Sequence, residues 1–191
     1  MNKSFAVLIV VVTLLLACNS EAKYIRDIKR LTHQTIDFPK GYVELTCNSQ
    51  MRLDSLIQKD VKIVSYYGDI VCTSCCAKSL KRWQDEIKEI DENVAFVIIA
   101  RSVDNKAVEV FSNSLDLELP LMLYKTDDFV RRNNLEDVLA RNRTFLLNKE
   151  NKIILVGEPF GRKQLSRLYK RCIDSLRVNN NYQCKVECSK K

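Results

Sequence analysis

The feature that most constrains the fold is a cysteine pair, Cys72 and Cys75, set between a strand-like run and an amphipathic helix. Lys62 to Tyr67 (KIVSYY) has the β-branched and aromatic composition of a strand. From Thr73 to Ile90 the pattern turns helical. Cys76, Leu80, Trp83, Ile87 and Ile90 fall on one stripe, with Lys81, Asp85, Lys88 and Glu89 opposite. The motif Val71-Cys72-Thr73-Ser74-Cys75-Cys76 therefore straddles a helix N-terminus, where free N–H groups and partial positive charge stabilise a thiolate. Cys72 is the candidate nucleophile. Cys75, three residues on, reaches a mixed disulfide formed at Cys72 and is the candidate resolving thiol. Cys76 also lies one turn from Cys72, but its place on the apolar stripe predicts a small buried hydrophobe.

Strand and helix signals alternate beyond this point. Asn93 to Ala100 (NVAFVIIA) reads as a buried strand, and Asn105 to Leu115 as a helix capped by Asp104. Pro120 to Tyr124 is a further strand and Thr126 to Asn133 a short helix. Arg143 to Asn148 and Lys152 to Gly157 form a hairpin turning at Lys149-Glu150-Asn151, and Gly161 opens a helix to about Arg177. Tyr42 to Thr46 alternates as a first strand. The pattern predicts an α/β fold with a central mixed sheet flanked by helices, in one domain over residues 42–178. Residues 179–191 are a polar tail carrying Cys184 and Cys188.

At the other end, Lys3 precedes an apolar run, Phe5 to Leu16, that is too short to span a bilayer. Residues 1–17 read as a signal peptide. Leu15-Leu16-Ala17-Cys18 resembles the lipobox cut before a diacylglyceryl-modified cysteine, so Cys18 is the expected lipidation site, its acyl chains anchoring the protein to a membrane. Asn19, where inner-membrane lipoproteins carry an aspartate, points to an outer membrane facing the periplasm of a Gram-negative bacterium. Residues 18–41 read as a tether with a short helix through Ile25, Ile28 and Leu31.

Export decides how the remaining features are read. The net charge of +7 comes without Arg/Lys clusters interleaved with aromatics, which excludes nucleic acid as a partner. Arg162, Lys163, Arg167, Lys170 and Arg171 form a solvated helix face. With Cys18 acylated, seven cysteines remain, so at least one thiol stays unpaired. Cys172 is expected to pair with Cys184 or Cys188 and pin the tail, and Cys47 is either free or paired to the tail. No cysteine spacing suits zinc, His33 is a solvated residue, and no cofactor is expected.

Together KIVSYYGDIVCTSCCAKSLKRW, NVAFVIIA, LPLMLY and RTFLLNKENKIILVGEP resemble the thioredoxin-like superfamily, nearest to exported TlpA/ResA-type proteins, over Lys62 to Arg177. The strand at Pro120 and the helix after it match the insertion those proteins carry. The resemblance implies reversible dithiol–disulfide exchange on exported partners. The sequence departs from the family in three places. Val71 replaces the aromatic before the first cysteine. Arg141-Asn142-Arg143 stands where a cis-proline precedes Thr144, making Asn142 and Arg143 candidate auxiliary residues. Tyr66 occupies the position of the family's buried acid, with Asp69 in the following loop, so either is a candidate for moving the Cys75 proton.

Two rival chemistries fail on the motif. Cys72 and Cys76 have the C-x-x-x-C spacing of copper-delivery proteins of this fold, which also need a downstream histidine, and His33 is upstream. A peroxiredoxin motif would need threonine at Asp69. The sequence therefore supports a membrane-anchored thiol–disulfide oxidoreductase acting on exported proteins bearing disulfides or thiols. The alternative is a redox-inactive thioredoxin-like lipoprotein serving as a binding or structural module.

Overall fold

The computed structural model describes residues 21–45, 52–69, 73–102 and 121–178, with backbone alone for residues 45 and 73–77. The signal peptide with Cys18, the helix at Asn105 to Leu115, and the tail lie outside these residues.

Six strands form one sheet: β1 (Val43–Leu45), β2 (Lys62–Asp69), β3 (Ala95–Arg101), β4 (Leu121–Tyr124), β5 (Thr144–Leu147) and β6 (Ile153–Val156). Their order is β1-β4-β3-β2-β5-β6. β2, β3 and β4 run parallel, while β1, β5 and β6 are antiparallel to their neighbours. The mixed α/β sheet expected from the sequence is the one observed. The β5–β6 hairpin turns through Asn151, whose positive φ of 59° suits an asparagine.

Both faces of the sheet are covered, which explains why its central strands are apolar on both sides. On the first face lies the central helix, Thr73–Ile90, burying Leu80, Trp83, Ile87 and Ile90 against Phe96, Ile98 and Leu146. The C-terminal helix, Lys163–Val178, adds Tyr169, Cys172, Ile173 and Leu176 to the same layer. Trp83 stacks on Phe160 at 4.9 Å between ring centroids. Lys81, Asp85, Lys88 and Glu89 face outward, as do Arg162, Lys163, Arg167, Lys170 and Arg171.

The second face is closed by the short helices Leu53–Ile57 and Asp128–Arg132 and by the chain's N-terminal part. Here the expected tether is corrected. Residues 21–31 are helical, and the helix ends at His33 with φ 74°. The next residues pair with the free edge of β6. The His33 N–H donates to the Ile153 carbonyl at 2.9 Å, the Ile153 N–H to Gln34 at 2.7 Å, and the Ile36 N–H to Asn151 at 2.9 Å. The chain then crosses to the opposite edge, where the Tyr124 hydroxyl donates to the Pro39 carbonyl at 2.8 Å and β1 pairs with β4. Leu31 is 0% and Ile36 3% exposed. A segment that covers a sheet edge and fills one core layer is part of the domain, so packing begins well before residue 42.

Candidate dithiol site

The site is built at the edge of the sheet where β2 ends and the central helix begins. Thr73 is the first helical residue, so Cys75 and Cys76 belong to the first helical turn. Cys72 immediately precedes that turn in sequence and lies outside the described residues. So do Cys47, Cys184 and Cys188. Cys172 is disulfide-bonded and 0% exposed within the C-terminal helix.

A β-bulge shapes the end of β2. The register with β3 shifts between Tyr66 and Gly68, leaving Tyr67 as the extra residue, its ring edge-on to Trp83 at 5.6 Å. Gly68 supplies the φ of +96° that the bulge requires. The shift pairs Asp69 with Arg101 and turns both toward the second face, away from the central helix. Asp69 is thus not a loop residue but the last residue of the strand. Its carboxylate receives two hydrogen bonds from Arg101, from Nε and Nη2, each 2.6 Å long. Arg101 Nη1 donates to Asp127 at 2.6 Å. The bond from Arg101 holds the Asp69 carboxyl below the usual carboxylate range.

Tyr66 lies on the same second face, 7% exposed, with Phe129 5.7 Å from its ring and the Arg143 guanidinium 5.6 Å away. Burial pushes its hydroxyl pKa up. Tyr66, Asp69 and Arg143 are therefore gathered together, on the face that the central helix does not cover.

Asn142 and Arg143 close the turn Ala140–Asn142 that enters β5. All peptide bonds among the described residues are trans. The Arg143 carbonyl accepts the Tyr66 N–H at 2.9 Å, and the Arg141 carbonyl accepts the Glu158 N–H at 3.0 Å. This turn is thereby stitched to the end of β2 on one side and to the turn after β6 on the other. Asn142 is 0% exposed, its Nδ2 donating to Asp27 Oδ2 at 3.3 Å and to the Tyr24 carbonyl at 3.4 Å.

Three further groups at this edge escaped sequence reasoning. Ser65 and Thr144 face the central-helix layer, both buried, with their hydroxyls 2.8 Å apart. Their small polar side chains break otherwise apolar strands, and that was the available signal. Glu158 follows β6, half-buried, its carboxyl pushed up by burial against the opposing pull of Arg162 and Arg82. Asp27, on the N-terminal helix, is 4% exposed and carried no sequence signal beyond being an acid in a basic stretch. An open cleft of about 540 Å³ adjoins this edge, lined by Tyr24, Leu165 and Leu168 with Arg162, Lys163 and Gln164.

Among the described residues no group of three or more His, Cys, Asp or Glu side chains is placed to hold a metal ion. No helix there is long and apolar enough to cross a membrane.

No protein-family model matches the chain, and no curated protein sequence matches it either. Solved structures do. One is the solution structure of a candidate protein disulfide isomerase from Bacteroides thetaiotaomicron, 19% identical, with 81% of this chain and 95% of that one aligned at a TM-score of 0.52. Another is a thioredoxin-like protein solved in its oxidised form, 12% identical, with 76% and 97% of the two chains aligned at a TM-score of 0.51. With its parallel β2–β3 core, its antiparallel β5–β6 hairpin and helices on both faces of the mixed sheet, the chain has the thioredoxin-like fold.

Proposed function

We propose that the chain is a membrane-anchored thiol–disulfide oxidoreductase that exchanges disulfides with exported proteins through Cys72 and Cys75. The observation that carries this reading is the position of the motif. The helix that starts at Thr73 follows β2 by three residues and holds Cys75 in its first turn. That is where backbone N–H groups and helix charge favour a thiolate. Cys72, as thiolate, attacks one sulfur of a partner disulfide, forming a mixed disulfide and releasing one partner thiolate. Cys75, as thiolate, then attacks Cys72. This closes the Cys72–Cys75 disulfide and frees the second partner sulfur, so the partner gains two electrons and two protons. Run backward, the same steps oxidise a partner dithiol.

The test is the reduction potential of the pair, measured in glutathione buffers with mass-spectrometric assignment of the trapped thiols. A value between about −120 and −270 mV carried by Cys72 and Cys75 supports exchange. A bond that resists reduction below about −300 mV replaces the reading with a redox-inactive binding module. Insulin reduction abolished in Cys72→Ser is the matching activity result. Anchoring through Cys18, at an outer membrane facing the periplasm, is part of the same proposal, and its test is palmitate labelling that disappears in Cys18→Ser.

A further inference from the structure

The helix at residues 21–31 has an outer face that the fold leaves unused. Its rotation is fixed from the inner side. Leu31 is 0% exposed, Ile28 packs on the second-face core, and the buried Asp27 carboxylate grips a distant turn by accepting the Leu139 backbone N–H at 2.9 Å. With 3.6 residues per turn, Ala22, Ile25, Arg26 and Lys29 are then turned outward, and all are exposed.

Ile25 is the informative member. Among the described residues the large apolar side chains left exposed are Ile25, Val43 and Val178. Ile25, at 46%, is the one that stands between cations, with Arg26 beside it in sequence and Lys29 one turn on. Neither cation makes an ion pair among the described residues. Arg30 adds a third positive charge, its Nη2 donating to the Asn134 carbonyl at 3.2 Å, while Glu21 at the helix start and Asp137 beside Arg26 are the acids nearby. An exposed isoleucine between unpaired cations complements a surface that is anionic outside and apolar just beneath, which is the headgroup boundary of a bilayer.

The chain upstream says which surface is within reach. The apolar run Phe5 to Leu16 and the candidate acylation site Cys18 lie immediately before this helix. Three peptide steps join Cys18 to Glu21, a span of about 11 Å when fully extended. A helix that begins this close to membrane-inserted chains begins at the headgroups.

Resting on the Cys18 anchor proposed above, we propose that the outer face of this helix, Ile25 with Arg26 and Lys29, lies on an anionic lipid surface. Ile25 enters the boundary of the acyl region, and the two cations meet headgroup phosphates. The domain is thereby held against the membrane in one orientation instead of swinging on its anchor.

The test is photo-crosslinking of the full chain in lipid nanodiscs. The photoreactive residue p-benzoylphenylalanine replaces Ile25 in one chain and Val43, 43% exposed on β1, in a control. In discs containing phosphatidylglycerol, lipid adducts at position 25 are expected to exceed those at position 43 by about tenfold. They should fall severalfold in discs of phosphatidylcholine alone, and in the double variant Arg26→Glu, Lys29→Glu. Adducts no more frequent at 25 than at 43 overturn the proposal, as do adducts to protein in place of lipid, or a charge reversal without effect in a variant that keeps the wild-type melting temperature. If the reversed chain does not fold, the two lipid compositions still decide. An unacylated Cys18, read by mass spectrometry, sinks the anchor instead. The same chain is then added to phosphatidylglycerol vesicles, where adducts at position 25 support the face and their absence overturns it.

Discussion

Arg101 meets Asp69 at two points, its Nε and Nη2 each 2.6 Å from a different carboxylate oxygen, so the ion pair fixes the orientation of the last β2 residue as well as its charge. Both side chains stay partly open to water, at 29% and 47% exposure. Solvent screening therefore limits the gain to about 1 kcal/mol even for this two-point geometry. Because the folded-state pKa of Asp69 is depressed, its contribution is present above the unfolded carboxylate value and is lost as the pH falls through the folded one. Asp69→Asn is expected to cost about 0.5–1 kcal/mol in urea unfolding at pH 7, and the gap to wild type closes in acid. A gap that persists at pH 2 refutes the ion-pair account.

Lys62 is 0% exposed at the start of β2, its Nζ donating to the carbonyls of Lys59 at 2.8 Å and Asn148 at 3.1 Å. Desolvation pulls its pKa down from 10.5 to about 8, against the attraction of Asp60 and Glu150. Between those two values the unfolded chain holds a proton that the folded one has released. Stability therefore rises with pH across that window. Lys62→Met is expected to flatten the rise in chemical-denaturation curves taken from pH 7.5 to 10. A wild-type slope retained in the variant counts against it.

Leu31, buried beneath the second face by the crossing N-terminal segment, is expected to behave as core. Leu31→Ala should lower stability by about 2–5 kcal/mol, read as a shift of the urea midpoint. A loss under half a kilocalorie would mean the segment is only loosely applied.

Cys172 sits fully buried in the C-terminal helix and is disulfide-bonded. Cys172→Ala is expected to cost about 2–4 kcal/mol, and dithiothreitol should destabilise wild type but not the variant. If the variant remains as sensitive to dithiothreitol as wild type, the bond that matters to stability lies elsewhere.

The central elements were legible in the sequence because their periodicity is local. The stripe Leu80, Trp83, Ile87, Ile90 marked one helix face, and β5 and β6 announced themselves as apolar runs around a polar turn. What stayed hidden depends on partners remote in sequence. Leu31 had only the spacing of a short helix within a tether, Ile36 stands among polar neighbours, and it is the pairing of residues 33–36 with residues 151–153 that shows why both are buried. The bulge at Tyr67 was equally silent, since one extra residue changes no composition yet moves Asp69 from one face of the sheet to the other. Gly68 was its trace. Asp27 looked like one acid among many, because a carboxylate gripping a turn more than a hundred residues away has no local pattern.

The segment that closes the β6 edge also sets the order in which the molecule can assemble. His33 to Ile36 leave the ribosome early, but their partners at Asn151 to Ile153 come more than a hundred residues later. Until then the backbone groups of His33 to Ile36 have no strand to pair with, and bringing the two segments together carries the closure entropy of a long loop. The edge of β6 is therefore closed by a late, long-range event, and a nascent chain ending short of Val156 still lacks Phe160, Tyr169, Cys172, Ile173 and Leu176 of the layer beneath the central helix.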